Sequence, residues 1–101
     1  MSAYLVALIT VTNQEKFLEY ASLSAAVAEQ YGAKFVIRGS DIEVVEGEMP
    51  HSRVVILEFK DKNMAKAFFD SPEYAQAKEV RQEACDFHAF IVEGVETVRF
   101  S

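Results

Sequence analysis

Arg38, Arg53, Arg81, Tyr20, Tyr74, Glu58, Ser71 and His88 are the side chains of this sequence whose types and settings can do chemistry. The run Ser71-Pro72-Glu73-Tyr74 carries a helix-start signal. Ser71 suits the cap, Pro72 the first turn, and Glu73 the positive end of the helix dipole. At 3.6 residues per turn, Tyr74, Ala77, Lys78 and Arg81 then share one side. That side reads either as the rim of a pocket for an anion or as a helix face in water. Arg38 and Arg53 can each hold a carboxylate through two parallel hydrogen bonds, or pair within the chain with Glu43, Glu46 or Glu58. Glu58 alternates with Val54 and Ile56, and partial burial there suits a general base. His88 lies between apolar neighbours and fits a general acid–base group, a haem ligand or a hydrogen-bonded core residue. His51, after Pro50, is expected in solvent. Tyr20 and Tyr74 can present phenols to a cavity between helices and sheet, or pack with their hydroxyls at its edge. Cys85, placed near the end of the last helix, has no activating neighbours and reads as an inert thiol.

Positioning these groups requires strands and helices that the hydrophobic pattern supplies. Ala3–Val11 reads as a strand apolar on both faces, hence buried on both sides. Thr12-Asn13-Gln14-Glu15 matches a capping box. The helix after it shows Phe17, Ala21, Ser24, Ala28 and Tyr31 along one face, and Gly32 suits a left-handed C-terminal cap. Residues 34–38 and 42–46 read as a hairpin around Gly39-Ser40-Asp41. A loop over 47–52 leads to a second apolar strand, Arg53–Phe59. Asp61 caps a short helix containing Met64, Ala65, Phe68 and Phe69, and Ser71-Pro72 breaks and restarts it, bending its path rather than ending it. The last strand is expected over 87–92, with Gly94 ending it and a tail over 96–101. The order is β-α-β-β-β-α-β, an α+β ferredoxin-like arrangement with an extra hairpin strand in an antiparallel sheet. Two helices cover one sheet face, so the other apolar face predicts a sheet-to-sheet homodimer.

Composition narrows the function classes. The chain has 101 residues, 50% hydrophobic and 26% charged, which suits one globular domain spanning 1–101 with a core over 3–95. Its net charge of −6 argues against nucleic acid and against docking on an anionic membrane. The apolar runs are too short to span a bilayer and no signal peptide is read at the N-terminus, so a cytoplasmic location is expected. A single cysteine excludes an internal disulfide and a thiolate zinc cluster, and two histidines without ligand spacing predict no metal site. No phosphate loop, nucleophile elbow or dinucleotide fingerprint is present, and no cofactor is expected. Arg53–Phe59 lacks the RNA-binding signature that some folds of this kind carry on a central strand.

Several strings together carry a resemblance. Phe35-Val36-Ile37-Arg38-Gly39, Glu46-Gly47, Arg53-Val54-Val55-Ile56-Leu57-Glu58-Phe59, Phe69-Asp70-Ser71-Pro72-Glu73-Tyr74, Lys78, Arg81 and Val92-Glu93-Gly94-Val95 resemble domain-of-unknown-function family 1330. The resemblance spans Tyr4 to Val95. It implies the dimeric α/β-barrel superfamily, with a ferredoxin-like protomer and a sheet-to-sheet dimer. Ser40 replaces a frequent second glycine, and Met49 a frequent aromatic before the loop proline.

Function stays open among distinct classes. One is a pocket for a small anionic or aromatic ligand, between sheet and helices or at the dimer interface, served by the residues named at the outset. A cofactor-free oxygenase- or isomerase-like enzyme is an alternative by analogy of fold alone. A non-catalytic dimeric interaction module is another. A metal or haem enzyme acting through His88 would show a bound metal or a Soret band.

Overall fold

The computed structural model describes residues 1–95. Alternation along β1 (Ala3–Val11) divides the molecule into two sides. Ala3, Leu5, Ala7 and Ile9 are buried, whereas Tyr4, Val6 and Leu8 are only half-buried. β1 lies between β3 (Arg53–Phe59) and β4 (Cys85–Glu93), and β2 (Lys34–Gly39) extends the sheet beyond β3. Every pair is antiparallel, giving the order β2-β3-β1-β4.

Helices α1 (Gln14–Gln30), α2 (Lys62–Phe69) and α3 (Pro72–Gln82) supply the other layer. Phe17, Tyr20, Val27 and Ala28 of α1, Ala65 and Phe68 of α2, and Tyr74 and Ala77 of α3 form one core with Leu5, Ala7, Ile9, Leu57 and Phe59 of the sheet. The Phe68 ring sits 5.3 Å from Phe59 and 4.8 Å from Tyr74, an aromatic stack that joins β3, α2 and α3. Both helical stops and starts follow from local chemistry. Gly32, at φ 72°, takes the left-handed position after α1, where Gly32 N–H donates to Glu29 O and Ala33 N–H to Ala28 O. Asp61 accepts from Met64 N–H and caps α2. Ser71 separates α2 from α3: its Oγ donates to Phe68 O at 2.8 Å and accepts from Tyr74 N–H at 3.0 Å.

Five expectations need correction. The strand over 42–46 does not form. Residues 40–52 instead cross from β2 to β3 without regular structure, leaving Val44 and Val45 exposed. All of β2 but Gly39 is already exposed, so a further strand outside it would have no helix to bury its apolar face. Asn13, not Thr12, caps α1, accepting from Lys16 N–H. Thr12 and Asn13 both donate backbone N–H to Ala84 O, and this holds Thr12 in the extended path one residue longer. β4 begins at Cys85 rather than residue 87, because pairing with β1 continues through Thr10–Asp86 and Val11–Cys85. α2 ends at Phe69 and α3 starts at Pro72 with its own cap, so Ser71-Pro72 ends one helix and begins another instead of bending a single one. The Ser71 hydroxyl causes this by holding the Phe68 carbonyl of the first and the Tyr74 N–H of the second. Within the single chain the helices cover β1 on one side. The other face of the sheet carries Tyr4, Val6, Leu8, Val54, Ile56 and Ile37, with His88, Phe90 and Val92 at its β4 edge. Phe90 and Val92 are close to half exposed there. No helix among the described residues is long and apolar enough to cross a membrane. The expected tail over 96–101 lies outside the described residues.

A bulge in β2 fixes which side its residues serve. Phe35 pairs with Leu57, Ile37 with Ile56 and Arg38 with Val55, so Val36 is the extra residue. Phe35 and Arg38 therefore both face the helices, although three positions apart in a period-two strand.

Ser71→Ala removes both the cap and the acceptor-satisfying hydroxyl of a buried serine. It is expected to lower unfolding free energy by roughly 1–2 kcal/mol in urea denaturation. An unchanged midpoint would show that the junction is held by packing alone.

Candidate functional site

The helix-side residues converge on a cavity of about 60 Å³ between α1 and the sheet. Its floor is Leu5, Ala7, Ile9 and Val55, and its walls are Phe17, Phe35, Phe87, Tyr20, Ser24 and Tyr74. Arg38 and Arg53 complete it. The enclosed volume is about that of two waters and well below a cavity that holds benzene, so it admits a group of carboxylate size. A wider depression of about 620 Å³ runs past Thr10, His51, Arg81, Cys85 and His88, but it is a more open groove rather than a walled pocket.

Each arginine reaches its place along a strand and rests on a ring. Arg53 opens β3 opposite Ile9, with its guanidinium carbon 5.3 Å from the centre of the Phe17 ring. Its Nε is buried and has no hydrogen-bond partner. Arg38 lies 4.5 Å over Phe35. These cation–π contacts hold the guanidinium planes without neutralising them. The expected pairing with Glu43, Glu46 or Glu58 does not occur. Among the described residues, the ion pairs are Lys16–Glu83 and Lys66–Asp70, both at the surface.

Tyr20 and Tyr74 meet inside the core with their hydroxyl oxygens 2.6 Å apart. Arg81 Nη1 donates to the Tyr74 hydroxyl at 3.2 Å, while its guanidinium lies 4.0 Å over the Phe87 ring. Lys78 lies over the Phe69 ring, at 4.1 Å. Burial drives the Tyr20 phenol far above its ordinary value, reinforced by Tyr74 and opposed by Arg81. Burial likewise raises Tyr74, against the pull of hydrogen bonds and charge from Tyr20 and Arg81. Cys85 is half-buried; burial raises its thiol, with Arg81 acting the other way.

The remaining candidates lie elsewhere. Ser71 is the α3 cap and belongs to the core junction. Glu58 faces the open side of the sheet and accepts from the Tyr4 hydroxyl at 3.1 Å. His88 is also on that side, where its Nδ1 lies 3.0 Å from His51 Nε2. His51 Nδ1 in turn lies 2.9 Å from Thr10 Oγ1, so His51 is half-buried and bonded rather than free in solvent. The pair needs one nitrogen to donate and the other to accept. No group of three metal-ligating side chains occurs among the described residues. Sequence reasoning missed Phe17, Phe35 and Phe87 as walls and Ser24 as a polar one. For Ser24 and Phe17 the helical face shared with Tyr20 held a signal.

Because the folded state keeps Tyr20 and Tyr74 protonated, their contribution to stability is fully present below the ordinary phenol value of about 10 and falls as pH rises past it. In a background carrying Tyr4→Phe and Tyr31→Phe, absorbance at the phenolate band is expected to appear only together with loss of the circular-dichroism signal. Phenolate formation in a chain that stays folded would contradict the burial of the pair.

Similarity to known proteins follows the same architecture. A structure of RPA0582, a protein of unknown function from Rhodopseudomonas palustris, superposes with a TM-score of 0.78 at 19% identity, covering 95% of this chain and 84% of that one. A dimeric ferredoxin-like protein of unknown function from Jannaschia sp. CCS1 gives 0.76 at 13% identity, over 93% of this chain and 100% of the other. SnoaB, a cofactor-independent oxygenase from Streptomyces nogalater, gives 0.70 at 15% identity over 96% of each chain. At these identities the likeness establishes the ferredoxin-like fold alone. No functionally curated protein sequence matches significantly. The family described as Domain of unknown function (DUF1330) matches residues 2–95, and the chain belongs to that family.

Proposed function

We propose that this protein binds a compact organic acid in the helix-side cavity, as a homodimer closed over the open face of the sheet. The observation that carries the reading is a cavity lined by two arginines, Arg53 and Arg38, neither of which makes an ion pair among the described residues. An acid's oxygens meet a guanidinium through paired hydrogen bonds, which makes an arginine without a carboxylate partner a natural site for them. The enclosed volume favours an acid head group over an aromatic ring. Arg38 stands at the mouth, exposed, and adds charge without burial. The reading stops at binding: the hydroxyls of Ser24, Tyr20 and Tyr74 line the cavity, but among the described residues its lining includes no carboxylate, histidine or cysteine to activate them. It keeps Tyr20, Arg38, Arg53, Tyr74 and, at one remove, Arg81 as site residues, and leaves Glu58, Ser71 and His88 outside it.

The dimer reading rests on the open face. Tyr4, Val6, Leu8, Val54 and Ile56 form an apolar strip that a two-fold mate can cover with its own copy. Ferredoxin-like proteins described as dimeric, from Jannaschia sp. CCS1 and Bacteroides fragilis, support this arrangement.

Two measurements check the proposal. Amide-resolved NMR titration is expected to give saturable shifts with acetate and none with acetamide, and Arg53→Gln should weaken acetate by roughly tenfold or more. Equal responses to the acid and its amide would remove the arginine from the argument. Native mass spectrometry is expected to give twice the single-chain mass, falling to the single chain in Phe90→Glu with circular dichroism unchanged. A wild-type single chain would rule out the covered sheet.

A further inference from the structure

We infer that the Tyr20 hydroxyl is the donor that meets the acid's second oxygen, and that Arg81 sets this role from outside the cavity through Tyr74. The inference rests on the acid-binding reading and adds a residue that acts on the ligand and one that acts through two phenols.

A guanidinium only donates hydrogen bonds, so at the 3.2 Å contact with Arg81 the Tyr74 oxygen is the acceptor. A hydroxyl that accepts from a cation becomes a stronger donor and a weaker acceptor. Its proton therefore goes to Tyr20. The separation of 2.6 Å fits a polarised bond, shorter than the usual 2.7–2.8 Å between neutral hydroxyls. Tyr74 is 2% exposed and Tyr20 7%, so both rings are set in the core. With its oxygen occupied by Tyr74, Tyr20 has its own proton to place, and both Tyr20 and the neighbouring Ser24 line the cavity. Ser24 already donates to Ala21 O, which leaves its oxygen as the resting acceptor for that proton. A carboxylate oxygen in the cavity is a better one.

Arg81 makes no ion pair among the described residues, so its guanidinium is left to hold Tyr74. A carboxylate there would draw the guanidinium off Tyr74 and free that hydroxyl to accept rather than donate. The site then offers the ligand donors of two kinds: a charged one from Arg53 and a neutral one from Tyr20. The acid selected is one whose head presents two acceptor oxygens, such as a carboxylate, in preference to an anion with a single one.

The test uses acetate as the probe on the intact protein labelled at tyrosine Cζ. Acetate is expected to move the Tyr20 Cζ resonance. Tyr20→Phe should weaken acetate by about three- to tenfold, the value of one neutral hydrogen bond. Arg81→Gln, at a half-buried position outside the cavity, should weaken it while thermal denaturation shows the fold kept, and Arg81→Lys should recover part of the loss. Acetate binding that leaves the Tyr20 signal unmoved and is equally tight in Tyr20→Phe and Arg81→Gln would overturn the relay and leave the Arg53 site standing. No acetate binding to the wild-type protein would overturn the acid-binding reading, and the relay with it.

Discussion

A phenol sealed among aromatic rings must find partners for its hydroxyl, and much of this fold is arranged around how Tyr74 does so. Its backbone N–H completes the Ser71 cap that starts α3. Its ring stacks on Phe68 and Phe69 of α2. Its oxygen joins Tyr20 of α1 and Arg81 about two turns along its own helix. One side chain thus ties three helices together above the sheet. The tie is polar at the same point where the cavity opens, so the requirement for hydrogen-bond satisfaction and the chemistry of the site are one requirement. Moving α1 away from α3 would strand a buried hydroxyl, which fixes the roof of the cavity more firmly than apolar contact alone.

Much of the architecture was legible because its signals are local. Asp61 and Ser71-Pro72 announce their helices through side chains that satisfy N–H groups within one turn. Gly32 marks its cap through backbone freedom. The signals that failed depend on distant partners. Thr12-Asn13-Gln14-Glu15 has the composition of a capping box, yet Ala84, at the far end of α3, decides where the helix starts by accepting from both Thr12 and Asn13. The alternation over 42–46 is strand-like, but a strand needs a covered face and none was left beyond β2. The site itself was half legible. Parity along β3 already separates Arg53, on the side of Val55, Leu57 and Phe59, from Glu58, on the side of Val54 and Ile56. Those two groups cannot share a pocket in one protomer. Parity likewise places His88 with Phe90 and Val92, away from the helices. The meeting of Tyr20 with Tyr74, 54 residues apart, has no local signature.

Charge is distributed against the net balance. The chain carries 16 acidic and 10 basic side chains, yet arginines are what line the cavity. Among the described residues most acidic side chains are exposed, on loops, helices and the outer strand β4, where water solvates them. The interior is therefore locally positive inside a negatively charged molecule. A net negative charge of this kind slows the approach of any anion at low ionic strength, and added salt relaxes that effect more than it does an interaction inside the cavity.

The extra residue in β2 turns strand length into a matter of sidedness. Counted from Phe35, a regular ladder would set Arg38 opposite Val54, on the open face with Ile56 and Tyr4. Val36 shifts the count by one and returns Arg38 to the helices. Losing Val36 leaves every other pairing in place, because the remaining residues already follow the regular register. Gaining a second extra residue sends Arg38 to the opposite side and carries Ile37 into the cavity. Divergence by deletion is thus tolerated at this point of the strand, and divergence by insertion is not. One added residue here exchanges what the pocket and the outer sheet surface each present, whereas one lost residue does not.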